Sequence, residues 1–191
     1  MITAILLAAG ESKRLFGENK LIKIYKKKPL INHILSSLIK SKINKIIVVL
    51  GFEHSKVKKK LLKNKKIKLE INKNYKKGMS SSIKLGLKNL NKNSKGFLIV
   101  QSDMPFISKK IINKIISKIF SSDKQIILPR FKKKIGNPIG FKQSISKEIF
   151  KIKGYKGAKK IIRRNRNKIE YINTNSRSIH IDFDDLKAFK R

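Results

Sequence analysis

Close to the N-terminus, Ser12, Arg14 and Lys20 follow the small-residue run Ala8-Ala9-Gly10 within one stretch, Leu7 to Lys20. A hydroxyl, a rigid guanidinium fork and a mobile ammonium grip phosphate oxygens in different ways, so a loop carrying all three suits a polyphosphate. Gly10 lacks a side chain, which permits positive φ and lets a ligand come up against the backbone. Successive N–H groups in such a loop can converge on an anion. The plain alternative is a set of solvated cations behind a glycine, because a Gly-rich loop with basic residues is a weak signal. The stretch matches neither G-x-x-x-x-G-K-[ST] nor G-x-G-x-x-G.

Carboxylates stand out for a different reason. The chain holds 49 Lys and Arg against 11 Asp and Glu, a formal net charge of +38. Against that background Asp103, in Ser102-Asp103-Met104-Pro105, and the cluster Asp182, Asp184 and Asp185 are more than surface decoration, with Asp185 a natural cap for a final helix. A carboxylate after a buried strand can hold Mg²⁺, which takes oxygen ligands and bridges to substrate phosphates; it can also cap the turn before Pro105. Alternation along an extended segment puts Asp182 and Asp184 on one face. A third polar cluster, Gly78-Met79-Ser80-Ser81-Ser82, opens a helix. One serine there suffices as an N-cap; three hydroxyls beside a glycine could also meet a base edge or a ribose.

The elements that must position these groups read as alternating strands and helices. Short apolar runs at Ile2–Leu7, Lys45–Leu50, Ile67–Ile71, Gly96–Gln101 and Gln125–Pro129 have the length and composition of buried strands. Helical spacing runs from Pro29 through Ile39, and further helices are expected over Lys56–Leu62, Ser82–Leu90, Ser108–Phe120 and Lys159–Arg164. That order implies βαβ units and a mainly parallel sheet. In such sheets ligands collect outside the carboxyl ends of the strands, which is where Gly10 and Asp103 fall. His33, between apolar positions of the first helix, reads as a partly covered helix residue.

At 191 residues one domain with a sizeable core is expected. No apolar run reaches membrane-spanning length, the N-terminus lacks the pattern of a signal peptide, and there is no cysteine. A cytoplasmic protein without membrane partner, disulfide framework or thiolate metal site is the expectation. The charge of +38 would suit nucleic acid. The lysines are scattered through every expected element, however, alongside an excess of Ile and Asn, so compositional bias without a specific nucleic-acid partner is the favoured account.

The stretch Leu7–Lys20 resembles the signature L-A-A-G-x-S-x-R-x-x-G-x-x-K of nucleotidyltransferases, and the chain is similar in particular to the molybdenum cofactor cytidylyltransferase group of the MobA-like family. Phe16 departs from it, standing where relatives often carry the first of two glycines. Gly78 to Ser82 resembles the segment that contacts the base, and Ser102 to Pro105 the D-x-P metal site. Gly136-Asn137-Pro138 and Tyr155 to Ala158 resemble acceptor-side walls. Asp182 to Leu186 is similar to D-I-D-T-x-x-D-L, with Phe183 in the apolar place and Asp185 in place of Thr.

The resemblance implies a single domain over 1–191 with a Rossmann-like three-layer α/β/α fold. It implies transfer of CMP from CTP to the phosphate of molybdopterin, with release of pyrophosphate and Mg²⁺ as cofactor. Arg14, Lys20 and Asp103 would be catalytic; Leu7, Ala8, Ala9, Gly10, Ser12, Arg14, Lys20, Gly78, Ser80, Ser81 and Ser82 would bind the nucleotide; Asp103, Asp184 and, beside it, Asp182 would hold the metal. CTP is expected because guanylyltransferases usually read Leu-Ala-Gly-Gly where this chain has Ala8-Ala9-Gly10, and a methyl at Ala9 narrows the approach for a purine. A molybdoenzyme or its chaperone is an implied partner. Another small-phosphate cytidylyl- or guanylyltransferase, or a basic nucleic-acid-binding protein on this fold, is the alternative.

Overall fold

The structure, a computed structural model, describes residues 1–11, 19–154 and 157–183. In chain order the strands are β1 (Ile2–Ala8), β2 (Ile24–Tyr25), β3 (Lys28–Pro29), β4 (Lys45–Leu50), β5 (Ile67–Ile71), β6 (Gly96–Gln101), β7 (Ile126–Phe131), β8 (Lys134–Ile135), β9 (Ile139–Lys142) and β10 (Ile169–Asn173). The helices are α1 (Leu30–Ile39), α2 (His54–Lys60), α3 (Met79–Lys88), α4 (Lys109–Ser121), α5 (Ser146–Phe150) and α6 (Lys159–Arg164).

The main sheet runs β10-β7-β9-β6-β1-β4-β5, with β8 paired to β7. Strands β6, β1, β4 and β5 are parallel neighbours, as are β7 and β10. Strand β9 lies antiparallel to both β6 and β7. Two reversals cancel, so β7 points the same way as β6, and β1, β4, β5, β6, β7 and β10 share one carboxyl edge.

Period-two alternation sorts the strands' side chains onto two faces. From β1, Ile2, Ala4, Leu6 and Ala8 join one buried cluster with Leu35 and Leu38 of α1, Val57 of α2 and Ile112 and Ile115 of α4. Ile5 joins the other, with Ile83 of α3, Ile149 of α5 and Ile161 of α6. Helices therefore cover both faces, which is the expected three-layer α/β/α arrangement. Each fully buried Ile or Leu contributes about 1.5–3 kcal/mol, and this isoleucine-rich core lets so basic a chain fold. Among the described residues no helix is long and apolar enough to cross a membrane.

Two close approaches fix the elements around the carboxyl edge. A Cβ on Gly86 of α3 would lie 2.3 Å from Ile5 Cγ2, so α3 can rest on β1 only with glycine there. A Cβ on Gly51, just after β4, would lie 2.7 Å from the Ala9 Cβ and 2.8 Å from Ala9 O. The chain leaving β1 and the chain leaving β4 touch at these two small residues.

Several elements differ from expectation. Helix α3 begins at Met79 rather than Ser82, and α2 at His54 rather than Lys56. Strands β8 and β10 carry no expectation at all: β8 and β10 are short or half-exposed, so neither shows a long apolar run. The hairpins β2–β3 and β7–β8 turn through Lys26-Lys27 and Lys132-Lys133, all at positive φ. Such turns normally carry Asn-Gly or Asp-Gly, so the two Lys-Lys pairs give no hairpin signal.

Candidate active site

Strand β6 delivers Ser102 and Asp103 to the carboxyl edge beside the end of β1. Ser102, buried, donates its hydroxyl to Leu7 O at 2.7 Å and so ties the two strand ends together. Beyond it, Asp103 Oδ2 accepts a hydrogen bond from Lys20 Nζ at 2.7 Å. The two side chains keep only 17% and 14% of their surface exposed, respectively. Asp103 Oδ1 is buried and meets no hydrogen-bond donor among the described residues. A buried carboxylate oxygen without a donor costs its desolvation, and a divalent cation is the natural group to satisfy it. The residue thus fits the metal-ligand role.

Lys20 is held in place by a residue that motif reasoning passed over. Asn19, 1% exposed, caps the single 3-10 turn Lys20–Ile22 by accepting from Leu21 N at 3.1 Å. Its amide also donates to Phe52 O at 3.2 Å, which anchors the turn to the loop after β4. Asn at such a position is a cap signal, but no helix was expected after it.

The described end of the C-terminal segment, which carries Asp182, comes to the same place. Phe183 N donates to the Asp103 backbone carbonyl at 3.0 Å. Asp182 is exposed next to it. Asp184, the stronger expected metal ligand, lies outside the described residues, as do Ser12, Arg14, Tyr155, Lys156 and Asp185. Among the described residues no three acids or imidazoles group as a metal site. His180, beside the acids in sequence, instead places Nε2 at 3.2 Å from Lys134 O.

The small-residue run behaves differently from expectation at two points. Gly10 does not take positive φ; the described glycines that do are Gly78, Gly154 and Gly157. A Cβ at Gly10 would meet nothing within 4 Å among the described residues, so none of them covers this backbone. The Ala9 methyl faces Gly51, and Ala9 is 6% exposed, so it packs inward. Leu7 is half-buried and Ala8 buried.

At the start of α3 the serine hydroxyls are already engaged. Asn72, 5% exposed, donates through its amide to Ser81 Oγ at 2.8 Å and Ser82 Oγ at 2.9 Å, and accepts from Asn74 N at 2.9 Å. Ser81 in turn can donate to Gly78 O at 2.8 Å or Asn74 O at 3.0 Å. Ser80 N donates to Gly154 O at 3.2 Å. Gly78 occupies the N-cap at φ 95 and supplies no side-chain cap, so none of the serines has the N-cap role expected of one of them. Asn72 is the organising residue here; an Asn after a strand reads only as a turn signal, which is why its role is invisible in sequence.

A two-faced α/β sheet with a lysine–aspartate pair and an open glycine backbone at its carboxyl edge defines a class: Rossmann-like proteins that take an anionic ligand at that edge. Within that class the chain belongs to the MobA-like NTP transferase domain family, whose model matches residues 4–169. A curated relative, the probable molybdenum cofactor guanylyltransferase of Pyrococcus horikoshii, is 30% identical over 130 residues, 68% of this chain. That match spans 62% of the relative's length. Among solved structures, Rv0371c from Mycobacterium tuberculosis H37Rv superposes with a TM-score of 0.87 at 20% identity, covering 99% of this chain and 95% of that one. A structure of the same protein in complex with manganese gives 0.84 at 18% identity, covering 99% and 96%. At these identities the two structures bear on the fold.

Proposed function

We propose that the protein transfers a nucleoside monophosphate from a nucleoside triphosphate to the phosphate of a small acceptor, molybdopterin in the first instance. The carrying observation is the Lys20–Asp103 pair at 2.7 Å with Asp103 Oδ1 buried and without a donor among the described residues. An acceptor phosphate oxygen attacks the α-phosphorus, the bond from that phosphorus to the bridging oxygen breaks, and pyrophosphate leaves with the electron pair. The attacking phosphate is already ionised at neutral pH, so no general base is required. Catalysis of this kind rests on positioning and charge neutralisation.

In this reading Asp103, with Asp184 or Asp182 from the C-terminal segment, holds Mg²⁺. Bound there, Mg²⁺ would neutralise charge on the triphosphate and the departing pyrophosphate. The protein's own groups do the rest. The backbone from Leu7 to Gly10, with Ser12 and Arg14, holds the phosphates. Lys20, positioned by Asn19 and Asp103, places its ammonium at the edge where negative charge develops. Gly78 and Ser80 to Ser82 border the base. The manganese bound by the Mycobacterium protein of the same fold supports a divalent cation, and the name of the Pyrococcus relative supports a molybdenum-cofactor acceptor.

CTP is the first reading for the nucleotide, on the pattern Ala8-Ala9-Gly10. GTP is the second, favoured by the guanylyltransferase name of the relative and by the Ala9 methyl, which packs toward Gly51. Transfer from each of the four nucleoside triphosphates to molybdopterin tests both. A lead for CTP of about 10- to 200-fold, the span that pocket shape supplies, supports the first reading. A lead for GTP selects the second reading. Transfer from none of the four, with polyanion binding that weakens steeply as salt rises, would favour the nucleic-acid alternative.

A further inference from the structure

Away from the carboxyl edge, the end of α2 and the chain after it meet the first half of β5 around a groove of about 740 Å³. Leu61, Leu62, Ile67 and Leu69 form its apolar floor, and Lys58, Lys59 and Lys63 stand on its rim. Leu61, Ile67 and Leu69 are half-buried against the core, whereas Leu62 is 37% exposed. One wall is held by Asn32 of α1, itself 4% exposed, which grips the backbone on both sides of Leu61. Its amide donates to Lys60 O at 2.8 Å, and its oxygen accepts from Leu62 N at 3.1 Å. The other wall is a sheet edge. Among the described residues β5 has β4 as its only neighbour, so its outer side offers N–H and C=O groups to a further strand.

Charge decides what fits there. The stretch from His54 to Lys68 holds eight lysines in fifteen residues, against 49 Lys and Arg in 191 for the chain, so this face exceeds the general lysine excess. Lys58, Lys59 and Lys63 are exposed and pair with no acid among the described residues. A second copy of this chain carries the same net charge of +38 and is repelled. Nucleic acid would use the lysines but gains little from four aliphatic side chains, and no aromatic ring lines the groove among the described residues for a base to stack on. We propose that the groove docks an extended acidic segment of a partner protein. Aliphatic side chains of that segment enter between Leu62 and Leu69, its backbone adds to the outer edge of β5, and its flanking carboxylates meet the rim lysines. The surface stands apart from Gly10 and Asp103, so the proposal does not depend on the transfer reading.

Fluorescence anisotropy on the full chain at physiological salt tests it, with the fluorescein-labelled peptide Glu-Glu-Leu-Thr-Leu-Glu-Glu as probe. Wild type should bind this peptide about 10-fold more tightly than Glu-Glu-Ser-Thr-Ser-Glu-Glu, which keeps the charge and loses the anchors. Leu62→Ser, a change at an exposed position, should weaken the first peptide about 10-fold and leave the second unchanged. Lys59→Glu combined with Lys63→Glu should weaken both about 10-fold; Lys151→Glu, at an exposed position after α5, should weaken neither. Equal binding of the two peptides with Leu62→Ser silent would overturn the proposal in favour of general polyanion attraction. Oligothymidylate that displaces the first peptide from Leu62→Ser and wild type alike would do the same. No binding of the first peptide to wild type also overturns it. A wild-type dimer in sedimentation that Leu62→Ser dissolves would overturn it in favour of a contact between copies.

Discussion

The end of β6 and the start of α3 look alike in sequence, each a short polar cluster after an apolar run, and the fold treats them in opposite ways. At Asp103 one carboxylate oxygen is tied to Lys20 and the other is buried without a donor among the described residues. At Ser81 and Ser82 the hydroxyls are taken up by Asn72. A polar group that the fold leaves unsatisfied is available to a ligand; one that the fold satisfies is first of all structure. The two clusters should therefore respond differently when mutated.

The largest difference should appear at Asp103. Asp103→Asn should leave the melting temperature near wild type and lower turnover about 10²- to 10³-fold, the range for loss of one electrostatic stabiliser. Steady-state transfer with saturating nucleotide measures it. Near-normal turnover at ordinary Mg²⁺ would remove Asp103 from the chemistry.

Lys20→Ala should come next. A charge-assisted hydrogen bond is worth about 1.5–3 kcal/mol, so kcat/KM for the nucleotide should fall about 10- to 100-fold. Lys63, exposed and remote from this pair, is the control, and Lys63→Ala should be silent. Equal small effects at the two positions would mean that general basic charge, not position, binds the triphosphate.

Asn72→Ala reverses the pattern. It removes the donors to Ser81 and Ser82 and the acceptor for Asn74 N, at a cost of about 1–3 kcal/mol. In a protein of this size that is roughly 2–12 °C in melting temperature, with kcat changed little once substrate is saturating. A variant with unchanged stability but collapsed turnover would show that the serine cluster is catalytic after all.

His33 gives the smallest effect. Burial lowers its pKa from the ordinary 6.5, and the positive charges of Lys28 and Lys26 act in the same sense, against the hydrogen bond with Tyr25 O at 2.8 Å. Because the folded-state pKa is the lower one, the unfolded chain binds more protons in the window just below 6.5. Stability therefore rises with pH through that window, and the protein is weaker on its acid side. His33→Gln should flatten that part of the stability profile, as followed by thermal melts between about pH 5 and 8. An unchanged slope would exclude His33 as its source.

Much of this was legible in the sequence because it rests on long, strongly periodic segments. Strands β1, β4, β5 and β6 and helices α1 and α4 follow directly from runs of Ile, Leu and Val. Asp103 stands out because acids are scarce in a chain of +38. What escaped was set by partners distant in sequence. Asn72 gains its role only because α3 folds back over it, and Ala9 faces inward only because Gly51 arrives from β4. The Lys-Lys hairpin turns and the half-exposed β10 lack the residue types that mark such elements. Tyr25, Phe106 and Phe183 meet ring to ring, and no local pattern connects them.

The central claim is that Asp103 Oδ1 is kept for a cation that accompanies the nucleotide. Water-proton relaxation of Mn²⁺ with and without nucleoside triphosphate, in wild type and Asp103→Asn, tests it most directly. The account predicts that wild type binds Mn²⁺ more tightly when nucleotide is present, and that Asp103→Asn loses this gain while keeping its fold. Identical Mn²⁺ titrations for the two proteins, in the presence of nucleotide, would contradict it.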